Sequence, residues 1–228
     1  MPKTLGEKRS QVKQIREIFD VVYHDAICSL EHESPLELLI STQLAAQCTD
    51  ARVNIVAKDL YKRYKNVYDF ANADKEELES YIRSTGFYHN KAKNIIACCQ
   101  KLISDFHGEV PESMEDLTSL PGVGRKTANI IIGDIYHKPA VVVDTHCIRL
   151  SGRLGLTKQK DPVKIEFELA KIIEPSYQST FCHQLVFHGR AVCNARSPKC
   201  GICPILPLCE YPNKSGNLPK LTIIKEDL

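Results

Sequence analysis

The chain has 228 residues, of which 43% are hydrophobic, so it can bury a substantial core in one large domain or two small ones. Its 30 basic and 28 acidic residues leave a net charge of +2, which leaves nucleic-acid binding open because basic side chains can gather on one face. The charged N-terminus lacks the apolar run of a secretory signal, and no stretch approaches the ~18 consecutive apolar residues of a membrane span. An exported or membrane-spanning protein is therefore not expected, and a cytoplasmic location is.

Recurring helix-start signals, with almost no strand-like alternation, predict an all-α fold. A first amphipathic helix is predicted from apolar residues three or four positions apart, namely Val12, Ile15, Phe19 and Val22. Residues 34–37, Ser-Pro-Leu-Glu, form a capping box that predicts a helix from 36 to about 47. Later helix starts are predicted where a side chain can act as the N-cap, at Asp50, Asp74, Asn90, Asp144 and Asp161.

Residues 120–128 read Leu-Pro-Gly-Val-Gly-Arg-Lys-Thr-Ala and lie between two predicted helices, which is typical of a helix-hairpin-helix. The glycines permit positive φ and remove Cβ atoms, so backbone N–H groups can point at a phosphate. Such contacts do not depend on base sequence. The pattern predicts a DNA-backbone contact at Gly122, Val123, Gly124 and Arg125, and the alternative is an ordinary glycine-terminated helix joined to its neighbour.

Ten cysteines in a chain without an export signal predict thiols or metal ligands rather than disulfides. Six are scattered among apolar helical positions and are interpreted as core residues: Cys28, Cys48, Cys98, Cys99, Cys147 and Cys182. The other four follow the pattern Cys-x6-Cys-x2-Cys-x5-Cys and are predicted metal ligands: Cys193, Cys200, Cys203 and Cys209. Their spacing alone allows a tetrahedral zinc site or an iron-sulfur cubane. Arg196 and Lys199 lie between the first two ligands and are either phosphate contacts or a solvated basic loop.

The hairpin, the Val-Asp-Thr-His sequence at 143–146 and the cysteine pattern together resemble the endonuclease III family, over about residues 38–209. The resemblance implies a two-lobed fold, with a six-helix barrel at 28–138 that contains the helix-hairpin-helix at about 113–136. The second lobe would combine residues 1–27 and 139–228 and carry a 4Fe-4S cluster on the four patterned cysteines. DNA would lie in the cleft between the lobes.

The same resemblance implies a bifunctional DNA glycosylase and AP lyase that acts as a monomer on duplex DNA containing oxidised pyrimidines or abasic sites. Lys126 is the implied nucleophile and Asp144 the second catalytic group. Breaking the glycosidic bond and then the strand by β-elimination calls for an amine that forms a Schiff base at C1′. A free lysine is almost fully protonated at pH 7, so Lys126 is expected to be kept partly neutral by its helix start and by a closed DNA groove. The alternative for Lys126 is a solvated lysine at the helix start, and the alternative for Asp144 is a simple helix cap.

Further DNA contacts are implied where the family fills the gap left by a flipped nucleotide. Gln47 matches the family's glutamine, and Phe87 stands where an aliphatic residue is expected. His146 is a further candidate for a position near a phosphate. Asp50 is a candidate for assisting proton transfer. Gln47 and Phe87 could instead serve ordinary packing, and Asp50 could serve capping alone. His146 could instead be an unattached histidine at the helix start.

Two other readings compete with this one. An adenine or mismatch-thymine glycosylase of the same superfamily usually lacks the lysine, and the short segment after Cys209 predicts no room for the adenine enzymes' extra domain. A noncatalytic DNA-binding protein could use the cluster as a redox sensor or scaffold. The expected setting is chromosomal DNA, in the nucleus if the cell is eukaryotic.

Overall fold

The computed structural model of the chain describes residues 2–211, and all regular secondary structure in that range is helical, which confirms the all-α prediction. The α-helices of this range, in chain order, are α1 (Leu5–Val22), α2 (Pro35–Leu44), α3 (Asp50–Arg63), α4 (Val67–Ala71), α5 (Lys75–Ile82), α6 (Tyr88–Phe106), α7 (Met114–Ser119), α8 (Arg125–Ile130), α9 (Thr145–Arg153), α10 (Pro162–Ala170) and α11 (Gln178–Ala191). A π-helix at Ile131–Ile135 continues α8. Within residues 2–211, no helix combines the length and the apolar character needed to cross a membrane.

The chain divides into two compact units. One unit is Cys28–Ala140, and the other combines Met1–Ile27 with Val141–Leu228. The second unit therefore joins α1 to α9, α10 and α11, although more than a hundred positions of sequence separate them.

In the unit that contains α1, the helix packs through one face onto α11. Phe19 is fully buried, and its ring lies 6.3 Å from that of Phe181 and 5.2 Å from that of His188, measured between ring centroids. Val22, which the spacing placed on the same apolar stripe, is 46% exposed. That part of the prediction was wrong, because α1 ends at Val22 and its buried face stops one turn earlier.

In the Cys28–Ala140 unit, α2 runs through the core. Leu38, Leu39, Ile40 and Leu44 are all fully buried, so the helix is apolar on more than one side. The Ser34 hydroxyl accepts a hydrogen bond from the Glu37 N–H (3.2 Å), which is half of the predicted capping box. The other half was wrong, because the Glu37 carboxylate accepts the Glu33 N–H (2.6 Å) and not the Ser34 N–H. The helix ends at Leu44, about one turn earlier than predicted, because residues 45–47 form a turn.

The predicted N-caps met different outcomes. Three of them accept a backbone N–H and are confirmed: Asp74 (2.8 Å), Asp144 (2.7 Å) and Asp161 (2.9 Å). Two were wrong. Asp50 is the first residue of α3, and the neighbouring Thr49 caps that helix through its hydroxyl. Asn90 lies inside α6, whose N-cap is Phe87 in the left-handed conformation, without a side-chain cap.

Candidate nucleic-acid interface and cysteine cluster

The turn between α7 and α8 depends on Gly122. Its φ is +76°, and a Cβ at this position would lie 2.6 Å from the Gln43 side-chain oxygen and 2.9 Å from the Asn94 Cβ. Gly122 thus uses the positive φ that glycine permits. Gly124 does not use it, because its φ is −98° in an extended conformation. A Cβ at Gly124 would have no heavy atom within 4 Å, so this side of the turn is open.

The first turn of α8 has the features of an anion site. Gly124 is its N-cap and provides no side chain, so the first N–H groups of α8 receive no side-chain cap. Lys126 is exposed in this turn, and Arg125 is half-buried. Val123 is buried and its N–H donates to the Leu120 carbonyl (3.1 Å), so Val123 anchors the turn to the core.

Replacing Gly122 with alanine should lower the free energy of unfolding by about 2 kcal/mol or more. The alanine would be held at a left-handed φ and would also press on Asn94. Gly124→Ala is the matched control, and its cost should stay within about 0.5 kcal/mol. Urea denaturation of the two variants measures both values. Similar losses for the two glycines would contradict this account of the turn.

Asp144 and His146 are fixed in the first turn of α9. The Asp144 carboxylate accepts the Cys147 N–H, and the side chain is half-buried. An Arg149 guanidinium nitrogen lies 3.0 Å from His146 Nδ1, and a Cβ at Gly189 would lie only 2.4 Å from the same nitrogen. The His146 ring therefore lies against the backbone of α11 and is not an unattached helix-start side chain.

The four patterned cysteines line one cavity in the unit that contains α1. Cys193 follows α11, and its N–H donates to the His188 carbonyl (2.8 Å). Cys200 opens a short 3-10 turn whose end is capped by Cys203, and Cys209 ends a second such turn. The end of α11 and two short 3-10 turns thus bring the four thiols to one cavity.

The surroundings of these thiols favour a positively charged occupant. Burial, with a smaller contribution from the three neighbouring cysteines, raises the pKa of Cys203 to about 11. Burial also raises the pKa of Cys209. An Arg153 N–H donates to the Cys193 sulfur (3.2 Å), and His188 Nε2 lies 3.5 Å from the Cys203 sulfur. Bound cationic metal would offset the cost of deprotonating buried thiols.

Within residues 2–211, no three His, Cys, Asp or Glu side chains converge in the way that a single-ion site requires. The four thiols border a shared cavity. An all-cysteine donor set of this kind suits an iron-sulfur cluster.

The remaining predicted contacts occupy several different settings. Gln47 and Phe87 are exposed and both have left-handed backbones, with φ of 55° and 50°. Arg196 and Lys199 are exposed, and the Lys199 ammonium donates to the Ala191 carbonyl at the end of α11 (3.1 Å). Asp50 is half-buried and is one of the acidic groups that raise the pKa of Cys28, to about 12, after burial as the main cause.

Known proteins resemble this chain in sequence and in fold. Residues 40–175 match the HhH-GPD superfamily of base excision DNA repair proteins. The chain is 46% identical over 208 residues to endonuclease III of Synechocystis sp., an alignment that covers 91% of this chain and 95% of that protein. The chain belongs to the endonuclease III family. Two solved structures of the endonuclease III family superpose on it with a TM-score of 0.86 and 43% identity.

The first of these endonuclease III structures is a non-covalent DNA complex, with coverage of 92% of this chain and 99% of that one. The second is a trapped covalent intermediate with DNA, with coverage of 91% and 98%.

Sequence reasoning missed two neighbours of the predicted endonuclease III site. Arg153, at the end of α9, donates to the Cys193 sulfur, and neither sequence segment alone indicates this contact. Lys91 is buried, and no sequence signal indicates this.

Proposed function

We propose that this chain removes oxidised pyrimidines from duplex DNA, with Lys126 as the nucleophile and Asp144 as the second catalytic group. As a member of the endonuclease III family, the chain is a bifunctional DNA glycosylase and AP lyase of base excision repair. The observation that carries the residue assignment is the exposed Lys126 in the uncapped first turn of α8. A relative of 43% identity has been trapped as a covalent DNA intermediate, which supports a nucleophile on the protein.

In the proposed reaction the Lys126 amine attacks C1′ of the damaged nucleotide, and the C1′–N bond breaks as the base leaves with the electron pair. The amine then loses a proton, and its nitrogen lone pair expels the ring oxygen O4′, which takes up a proton, so the C1′–O4′ bond breaks and a protonated Schiff base forms at C1′. Removal of a C2′ proton then expels the 3′ phosphate and cleaves the strand. The Asp144 carboxylate supplies the negative charge that stabilises the sugar cation as the base departs.

Replacing Asp144 with asparagine should slow base release by about 100- to 1000-fold while folding is preserved. The asparagine side chain can still accept the Cys147 N–H, so α9 keeps its cap. Single-turnover excision on a duplex with one oxidised pyrimidine measures the rate. Asp161→Asn, at the N-cap of α10, is the control and should leave the rate unchanged. An unchanged rate in Asp144→Asn would assign Asp144 to capping alone.

We also propose that Cys193, Cys200, Cys203 and Cys209 hold a 4Fe-4S cluster. Their half-buried, mutually repelling thiols and the Arg153 contact to sulfur support this ligand set. The cluster would supply binding free energy that fixes the loop between α11 and Tyr211. With this loop in place, Arg196 and Lys199 are proposed to lie near the DNA backbone.

For duplex opening, we propose that Gln47 and Phe87 fill the space left by the flipped nucleotide. Phe87 is 62% exposed, which supports a contact role over core packing. Gly122, Val123, Gly124, Arg125 and His146 are proposed to contact phosphates, with Val123 acting through the position it gives the turn. Asp50 is proposed to assist proton transfer. We propose that the protein acts as a monomer on chromosomal DNA.

A nicking assay on a panel of duplexes tests the proposed substrate class. Duplexes with an oxidised pyrimidine or an abasic site should be cut, and the undamaged duplex should stay intact. Removal of adenine or mismatched thymine, with no action on oxidised pyrimidines, would replace this proposal with another specificity of the superfamily.

A further inference from the structure

Lys91 is a buried lysine in the first turn of α6. Its side chain is 6% exposed, and the ammonium donates to two main-chain carbonyls, Leu44 (2.8 Å) and Thr85 (2.9 Å). Burial lowers the pKa of Lys91. These two carbonyls are the last of α2 and the last of the 3-10 turn Arg83–Thr85. Helix dipoles place partial negative charge there, which favours the ammonium ion.

The two carbonyls belong to the segments that lead into Gln47 and Phe87. Leu44 ends α2, and the turn that follows it reaches Gln47 in the left-handed conformation. Thr85 is followed by Gly86 and Phe87, which both have positive φ. The Lys91 backbone N–H also donates to the Phe87 carbonyl (3.1 Å). One residue thus binds the Phe87 turn on both sides and joins it to the Gln47 turn.

Packing alone does not call for a lysine at this position. A methionine would occupy a similar volume without the cost of desolvating an ammonium ion. What the ammonium adds is a polar link between two turns that are 41 positions apart in sequence, and both turns end in an exposed side chain. A link of this kind fixes distance and orientation, which a flexible apolar contact does not.

We propose that Lys91 is a positioning residue for duplex opening, holding the Gln47 and Phe87 turns in a fixed arrangement through its two carbonyl hydrogen bonds. This inference rests on the proposed function of those two side chains. Lys91 is expected to act on the separation of the duplex and to leave the Lys126 chemistry unchanged.

The test compares excision from a paired duplex with excision of the same lesion opposite a gap, where no partner strand has to be separated. Lys91→Met should slow single-turnover excision from the paired duplex by about 10- to 100-fold and change the gapped substrate by less than about threefold. Borohydride trapping on a gapped abasic site should remain at the wild-type level. Lys93→Met, on an exposed position of the same helix, is the matched control and should change neither substrate.

A second readout separates positioning from general stability. Fluorescence of 2-aminopurine placed opposite the lesion reports unstacking, and Lys91→Met should reduce that signal at saturating protein. In the double variant Lys91→Met/Phe87→Ala, the loss on paired duplex should be no greater than that of the worse single variant, because both act in one step. Lys91→Arg keeps two donors and should restore most of the paired-duplex rate.

Lys91→Gln, whose side chain is shorter and uncharged, gives the same comparison if Lys91→Met does not fold. Equal losses on paired and gapped substrates, or losses that multiply in the double variant, would overturn the role proposed for Lys91. A wild-type protein that neither cuts nor traps abasic DNA would refute the proposed function itself, so the two failures are distinguishable.

Discussion

Replacing Lys126 with glutamine should abolish the covalent protein–DNA adduct that borohydride traps during turnover. The adduct requires a Schiff base between an amine and C1′, and glutamine has no nucleophilic amine. Lys126 is exposed, so the substitution removes no packed side chain and the hairpin should fold as before. DNA affinity should fall only by the share of one charge, about one unit in the salt slope at most.

The measurement is a denaturing gel of the trapped product, with binding to an uncleavable abasic analogue determined on the same preparation. Lys126→Arg is the charge-matched control, because its guanidinium stays protonated and should also give no adduct while binding as the wild type does. An adduct formed by Lys126→Gln at the wild-type rate would mean that another amine is the nucleophile. Loss of binding together with the adduct would assign Lys126 to DNA affinity.

The second large effect is expected at the cysteine cluster. Anaerobically purified wild-type protein should be brown and contain about four irons per chain, since the four thiols border a shared cavity and form an all-sulfur donor set. Replacing Cys200 with serine should lower the iron content and the soluble yield sharply. The binding free energy of the metal is also folding free energy for this loop.

Metal analysis and the visible absorption spectrum provide the measurement. Cys48→Ser is the matched control, because Cys48 is a half-buried thiol in the Cys28–Ala140 unit and should leave the iron content unchanged. A colourless protein with one zinc per chain would replace the cluster by the tetrahedral site that the spacing also allows.

Local sequence signals correctly predicted those helix starts that depend only on neighbouring residues. The caps at Asp74, Asp144 and Asp161 formed as expected, since each needs only a backbone N–H three residues ahead. The starts predicted at Asp50 and Asn90 were wrong. Both follow turns with a left-handed residue, and the buried Lys91 binds carbonyls near both turns. Such a start depends on tertiary contacts, which local capping rules do not include.

In the candidate site, too, features set by neighbouring residues could be predicted, and features set by tertiary contacts could not. Cysteine spacing and the hairpin pattern identify groups that lie close together in the sequence. Of the six cysteines interpreted as core residues, four are buried, which confirms the interpretation for Cys98, Cys99, Cys147 and Cys182, whereas Cys28 and Cys48 are half-buried. The contact of Arg153 with the Cys193 sulfur joins residues 40 positions apart and could not be read from either segment alone.

The contrast between the two hairpin glycines has a consequence for natural variation. At Gly122 the protein's own atoms forbid a side chain, so selection for folding alone would retain glycine there. At Gly124 the described chain tolerates a methyl group, and only a molecule docked on the open side of the turn could oppose one. Variants at 124 that persist in stable but inactive descendants would therefore record the loss of a ligand, whereas variants at 122 would record the loss of the fold.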